Sequence, residues 1–257
     1  MKLLFLFLLL TFLLFNETGA VGYVNMGHSL SDEIIGGKES RPHSHPYMAF
    51  LDIIRGNTWD YCGGFLIHRE FVMTAAHCAG DSITVKLGAH NVRKREKTWQ
   101  TISVKRQFPH PEYNDEKILN DIMLLQLENE AMMTTAVWPV PLGSRFDSDS
   151  PGQQCLVAGW GGTKPKPRGS DTLQEAELRL MNPSNCKGFN DFDERTQLCV
   201  GTPNSLKTTF SGDSGGPLVC SGVAQGIVSY GNNEEPPSGF TRIAYYSSWI
   251  DQILKAN

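Results

Sequence analysis

Between about residue 34 and residue 245, apolar residues fall in short runs rather than at helical spacing. Tyr47-Met48-Ala49-Phe50-Leu51, Phe71-Val72-Met73, Ile83-Thr84-Val85, Ile122 to Leu127, Cys155-Leu156-Val157-Ala158, Pro217-Leu218-Val219-Cys220 and Gly226-Ile227-Val228-Ser229 are separated by polar and turn-forming stretches. Short β-prone runs with Gly, Pro and Asn punctuation predict an all-β sandwich or barrel. Pro139 to Gly152, with three prolines and two glycines, reads as a linker between two halves of about a hundred residues. The pattern changes at the C-terminus. Ser247 or Ser248 can cap a helix whose Trp249, Ile250, Ile253 and Leu254 share one face. Packing onto a barrel is the expected use of that face.

The N-terminus is built differently. Lys2 precedes an apolar run of 13 residues from Leu3 to Phe15, followed by the small residues Thr18, Gly19 and Ala20. This is the order of a secretory signal peptide, and the run is shorter than the ~20 residues a membrane span needs. Six cysteines, an even number without Cys-x-x-Cys spacing, fit disulfides in an oxidising compartment better than zinc or redox use. The net charge is −4; removing residues 1–33 leaves 22 basic and 24 acidic residues, or −2. That balance argues against a nucleic-acid or membrane-surface binder. The clusters Arg93-Lys94-Arg95 and Lys164 to Arg168 read as solvated loops. His43 and His45 have His-x-His spacing without an evident third ligand, so no metal site and no cofactor is expected.

The chemistry concentrates at Gly212-Asp213-Ser214-Gly215-Gly216-Pro217. A serine hydroxyl becomes nucleophilic only beside a positioned base, itself oriented by a carboxylate. The glycines let the backbone turn tightly and turn amide N–H groups toward a substrate oxygen. The same residues satisfy the Gly-x-Ser-x-Gly elbow of α/β-hydrolases, which place their histidine after the serine. All seven histidines here precede Ser214, so that class is excluded by chain order. Among them His77 lies in the small-residue run Thr74-Ala75-Ala76-His77-Cys78. Asp121 leads straight into Ile122-Met123-Leu124-Leu125, which carries it inward, where a carboxylate must accept hydrogen bonds. Asp115, Asp147 and Asp149 lie in polar surroundings and read as solvated.

Thr-Ala-Ala-His-Cys, Asn-Asp-Ile-Met-Leu-Leu and Gly-Asp-Ser-Gly-Gly-Pro, in that order, resemble the trypsin/chymotrypsin family. Ile34-Ile35-Gly36-Gly37 is similar to its activated N-terminus and Gly159-Trp160-Gly161 to the start of its second barrel. Pro42 to Ala49, Asp171 to Glu175 and Gly222 to Gly231 look like the chymase and granzyme branch. The resemblance implies two six-stranded antiparallel β-barrels with a short C-terminal α-helix. It implies a signal peptide over 1–20, an activation peptide over 21–33 and a protease domain over 34–257. Within the last, the barrels would cover about 34–140 and 150–245, and the helix about 247–256. His77 would be the base, Asp121 its orienting partner and Ser214 the nucleophile, with the N–H groups of Gly212 and Ser214 as oxyanion hole. Cleavage after Glu33 would free an Ile34 ammonium to pair with Asp213. The disulfides would be Cys62–Cys78, Cys155–Cys220 and Cys186–Cys199. Implied partners are protein and peptide substrates and serpin-type inhibitors, acting on a monomer secreted or stored in mast-cell granules.

The substrate pocket would be lined by Thr208, Thr209, Phe210, Ser229, Tyr230, Gly231 and Ser238, with no carboxylate or guanidinium. A neutral cavity suits Phe, Tyr, Leu or Trp; the two threonines and Ser238 bring Met, Leu or Asn into competition. Glu234 and Glu235 near the rim read as a solvated loop. Two departures narrow the resemblance. Chymases are strongly basic, so at −2 tight storage on a heparin-like glycosaminoglycan is disfavoured, and an activation peptide of 13 residues is long for a family that uses a dipeptide. An inactive relative acting as a binding protein is the competing reading.

Overall fold

The computed structural model describes residues 37–144, 149–162, 169–202, 213–232 and 235–256. Strand β1 is Lys38–Glu39. The strands β2 (Met48–Arg55), β3 (Thr58–His68), β4 (Phe71–Thr74), β5 (Ser82–Leu87), β6 (Gln100–Pro109) and β7 (Met123–Leu127) close into one barrel in the order β2-β3-β4-β7-β6-β5. A second set comprises β8 (Gln154–Gly159), β9 (Gln174–Leu180), β10 (Gln197–Gly201), β11 (Pro217–Cys220), β12 (Val223–Asn232) and β13 (Glu235–Arg242). It follows the order β9-β10-β13-β12-β11-β8, and pairing of β8 with β9 closes it as a second barrel, with β1 added along β9. Neighbouring strands run antiparallel throughout both barrels.

The apolar runs read from the sequence lie in these strands because both faces of several are covered. In β4 and β7 every residue is buried, so neither shows alternation. Strands β6 and β9 escape a hydrophobicity reading for the opposite reason. In β9 the two faces alternate strictly over Ala176 to Leu180, and β6 is largely exposed and polar. Leu51, Ile53, Phe65, Phe71, Met73, Leu124 and Leu125 fill the first barrel. Val157, Leu178, Leu180, Leu198, Leu218, Val228 and Phe240 fill the second. Each fully buried side chain of this size contributes about 1.5–3 kcal/mol of transfer free energy. Met48, Phe50, Ala158, Trp160 and Leu173 form a third cluster where residues of the two barrels meet.

Three disulfides join Cys62 to Cys78, Cys155 to Cys220 and Cys186 to Cys199, the pairs implied by the resemblance. Asp149 corrects one sequence reading. It is paired with the Arg242 guanidinium and largely buried rather than solvated, because strand β13 carries Arg242 back to it.

The helix α1 (Ser247–Ala256) buries Ile250 and packs Trp249, Ile253 and Leu254 against the first core. His110 sits against this end of the molecule, with ring centroids 5.2 Å from Tyr246 and 5.1 Å from Trp249. Its Nδ1 accepts the Glu112 N–H at 3.2 Å. Burial lowers the His110 pKa, with the Glu112 charge opposing. A depressed value means that below the ordinary His pKa of about 6.5 the unfolded chain takes a proton that the folded chain resists. The packing of His110 therefore weakens as the pH falls below that range. An NMR titration should place the His110 midpoint below 6.5, and a midpoint above it would contradict the packing described.

Candidate active site

Strand register explains why His77 and Asp121 meet. Strands β4 and β7 are antiparallel with Thr74 opposite Met123. The residues leaving β4 therefore run beside those entering β7, and His77 comes level with the chain at Asn120 and Asp121. The 3-10 turn Ala76–Cys78 carries His77. Asn120 has φ +56°, a left-handed conformation asparagine tolerates, and its Oδ1 accepts the Tyr246 hydroxyl at 2.9 Å. Asp121 then turns inward and is 1% exposed.

The hydrogen bonds of Asp121 offset the cost of burying it. The His77 Nδ1 lies 2.8 Å from Asp121 Oδ2, and the His77 main-chain N–H donates to Oδ1 at 3.0 Å. The Ser229 hydroxyl donates to Oδ2 at 2.5 Å, and Thr241 Oγ1 donates to the Asp121 carbonyl at 2.7 Å. Ser229 lies on β12 and Thr241 on β13, so the second barrel completes the coordination of a carboxylate that belongs to the first. The sequence reading placed Ser229 in a pocket wall and missed both this bond and Thr241. Neither residue type carries a signal at that separation in sequence. A carboxylate held this way faces Nδ1 with negative charge, keeps the proton there and leaves Nε2 to act as acceptor.

Ser214 is braced from both sides. Its carbonyl accepts the Gly63 N–H of β3 at 2.8 Å and lies 3.8 Å from Cys78 Sγ. Cys62, next to Gly63, is bonded to Cys78, next to His77. One disulfide therefore ties the segment carrying His77 to the strand that holds Ser214. From the second barrel, Val228 O accepts the Gly215 N–H and the Val228 N–H donates to Gly216 O, each at 2.9 Å.

The glycines here answer to space. Gly215 has φ +80°, and a Cβ on it would stand 2.1 Å from Thr74 Oγ1 and 2.6 Å from Gly63 O. Asp213, 2% exposed, accepts the Gly161 N–H at 2.9 Å. Cβ atoms on Gly159 and Gly161 would come within 2.1 Å and 2.5 Å of its Oδ1. The Gly-Trp-Gly run noted in the sequence is thus a cradle for the Asp213 carboxylate.

Of the expected pocket, Ser229, Tyr230, Gly231 and Ser238 lie on the paired strands β12 and β13, with Gly231 opposite Ser238 and Tyr230 opposite Gly239. The Tyr230 ring lies on Gly239, where a Cβ would come within 2.3 Å; Gly239 was not singled out in the sequence. The Tyr230 hydroxyl is 3.0 Å from Gln197 Oε1. Burial pushes its pKa up to about 12, so this wall is uncharged at neutral pH. Thr208, Thr209, Phe210, Gly212, Glu33, Ile34 and Glu234 lie outside the described residues, as does the Glu235 side chain. His45 Nε2 is 2.7 Å from Glu175 Oε2, so that ring is engaged within the fold.

Comparison with known proteins places the chain in a family. The trypsin family model matches residues 34–250. Chymase of Canis lupus familiaris is 56% identical over 229 residues, covering 88% of this chain and 92% of that protein. Chymase of Papio hamadryas is 57% identical over 227 residues with the same coverage. Mast cell protease 2 of Ovis aries is 56% identical over 227 residues, again covering 88% and 92%. A solved structure, "Structure of GrC", superposes with a TM-score of 0.83 at 44% identity, covering 86% of this chain and all of that one.

Two substitutions separate orientation from folding at this site. Ser229→Ala removes a hydrogen bond to a charged acceptor, an interaction of about 1.5–3 kcal/mol. It should lower kcat by about tenfold with little change in KM; an unchanged kcat would deny Ser229 a part in holding Asp121. Gly215→Ala should lower the thermal midpoint steeply, because its new methyl meets Thr74 and Gly63 O. A midpoint within a degree or so of wild type would contradict that close approach.

Proposed function

The chain belongs to the trypsin family and is a chymase-like serine endopeptidase, and on that premise we propose that His77, Asp121 and Ser214 form its catalytic triad. Ser214 Oγ attacks the scissile carbonyl carbon while His77 Nε2 takes its proton. The same proton then passes to the departing amine, leaving an acyl-enzyme that water hydrolyses by the reverse route. Asp121 holds the imidazole in the required tautomer and stabilises the imidazolium as it forms. The N–H groups of Gly212 and Ser214 receive the oxyanion, where each such donor is worth about 3 kcal/mol. The observation that carries the reading is the pair of bonds from His77 Nδ1 and N–H to one buried carboxylate, at 2.8 and 3.0 Å.

Activation fits the placement of Asp213. Cleavage after Glu33 would free the ammonium of Ile34, a cation of the charge that a buried carboxylate such as Asp213 accepts as a partner. Lys38 pairs with Glu175 on β9, and the neighbouring Gln174 pairs with Gly159, one of the glycines against Asp213. The strand nearest the new N-terminus is thereby fixed on β9, whose other edge holds the end of β8. On this reading residues 1–20 are a signal peptide, 21–33 an activation peptide and 34–257 the secreted protease. Three disulfides support an oxidising destination, and among the described residues no helix is long and apolar enough to cross a membrane. Serpin-type inhibitors and protein substrates are its partners, and the enzyme acts as a monomer. The charge of −2 after residue 33 disfavours tight retention on heparin-like glycosaminoglycan.

Specificity follows from the uncharged wall of Ser229, Tyr230, Gly231 and Ser238 and the Thr208 and Thr209 floor. Cleavage after Phe, Tyr, Leu or Trp is the proposed preference. The Ser238 hydroxyl lies against Gly231, where a Cβ would stand 2.9 Å from its Oγ, and the polarity it adds to the wall brings a second class, Met, Leu or Asn, into competition.

After cleavage at Glu33, a serine-directed phosphonate should label Ser214 stoichiometrically. Ser214→Ala should abolish labelling and lower kcat by at least 10⁴-fold, the scale on which such triads lose activity. Labelling elsewhere, or none, would sink the triad assignment. A peptide library should show cleavage after large neutral residues; dominant cleavage after Arg, Lys or Asp would overturn the pocket assignment alone.

A further inference from the structure

A short helical turn leaves its last carbonyl groups without partners inside the turn. In the turn Ala76–Cys78 the carbonyls concerned include His77 O and, just beyond, Ala79 O. Both point at one side chain. Arg55, the last residue of β2, donates from Nη2 to His77 O at 2.8 Å and from Nε to Ala79 O at 2.7 Å. Its Nη1 pairs with the Asp60 carboxylate across the β2–β3 hairpin. Asp60 Oδ1 accepts the Tyr61 N–H at 2.8 Å, and Thr58 Oγ1 donates to the Arg55 carbonyl at 2.7 Å. The guanidinium plane is therefore fixed on all three nitrogens.

The chain after the turn is shaped to reach it. Gly80 comes so close to β2 that a Cβ would stand 2.5 Å from Ile53 Cγ2 and 2.8 Å from Ile54 O. The Gln107 side chain closes the other side, accepting the Gly80 N–H at 3.2 Å and donating to its carbonyl at 2.7 Å. Around His77 the anchors are complementary. Asp121 takes the main-chain N–H and the ring Nδ1, and Arg55 takes the carbonyl.

We propose that Arg55 is a positioning residue of the protease reaction, holding the peptide after His77 so that Nε2 stays at proton-transfer distance from Ser214. This rests on the reading of His77 as the base. A lysine cannot replace it, because one ammonium on a flexible stem cannot serve two carbonyls and a carboxylate in a fixed plane. Unlike Asp121, Arg55 leaves the tautomer alone and sets the direction from which the ring approaches the serine. Misplacement of a catalytic group by about 1 Å can cost 10²-fold in rate.

The test uses the cleaved, active enzyme with kcat expressed per phosphonate-titrated site, so that loss of folded protein does not register. Arg55→Met keeps the length of the stem and removes the donors; it should lower kcat per site by about tenfold or more with KM within about twofold. Arg55→Lys should fall between Met and wild type, and it carries the test if the methionine variant does not fold. Arg69→Met, which breaks the exposed Arg69–Glu130 pair, should leave kcat per site unchanged. Wild-type kcat per site in the Arg55 variants, even with a lower melting temperature, would overturn the proposal by making Arg55 merely structural. His77→Ala separates the two readings. If it retains normal labelling, the base assignment itself fails; if it is inert while Arg55→Met is fully active, only the role of Arg55 fails.

Discussion

The arrangement turns on one buried carboxylate. Asp121 comes from the first barrel, but not all of its carboxylate's partners do. His77 supplies two donors, and the Ser229 hydroxyl of the second barrel supplies another. A hydrogen bond to a charged group is worth about 1.5–3 kcal/mol, so burial of Asp121 and closure of the two barrels favour each other. The bond that orients the imidazole thus also reports that the barrels are assembled.

The same economy governs Ser214, the nucleophile in the proposed function. Ser214 sits on a turn whose approach to β3 leaves no room for a side chain at Gly215 and little at Gly63, where a Cβ would stand 3.2 Å from Gly216 Cα. Main chain packed on main chain holds position more tightly than a side-chain contact, because few torsions separate the contact from the reacting atom. The Cys62–Cys78 bond adds a covalent link between the strand bracing Ser214 and the turn bearing His77. Rigid support of this kind is what pre-organised acid–base chemistry needs.

Much of this was legible in the sequence. Strands dense in apolar residues, such as β4, β7 and β11, stood out because their burial on both faces is written in composition. Strands β9 and β13 did not, since one is half polar and the other carries Pro236, Pro237 and Gly239. Ser214 and His77 were marked by their neighbours, and Asp121 by the apolar run after it. Asp149 was misread, because its polar neighbours in sequence say nothing of Arg242, 93 residues away.

By itself, the sequence determined the all-β class, the order of histidine, aspartate and serine, and the glycines that only a tight backbone would need. Those are local properties, set by side-chain size, polarity and spacing along the chain. Tertiary structure decided which groups surround them: Ser229 and Thr241 on Asp121, Gly63 on Ser214, Arg55 on the His77 carbonyl. Each of these contacts depends on strand register and barrel closure. A hydroxyl or a guanidinium is equally at home in solvent and in a site, so its residue type carries no mark of which it will be.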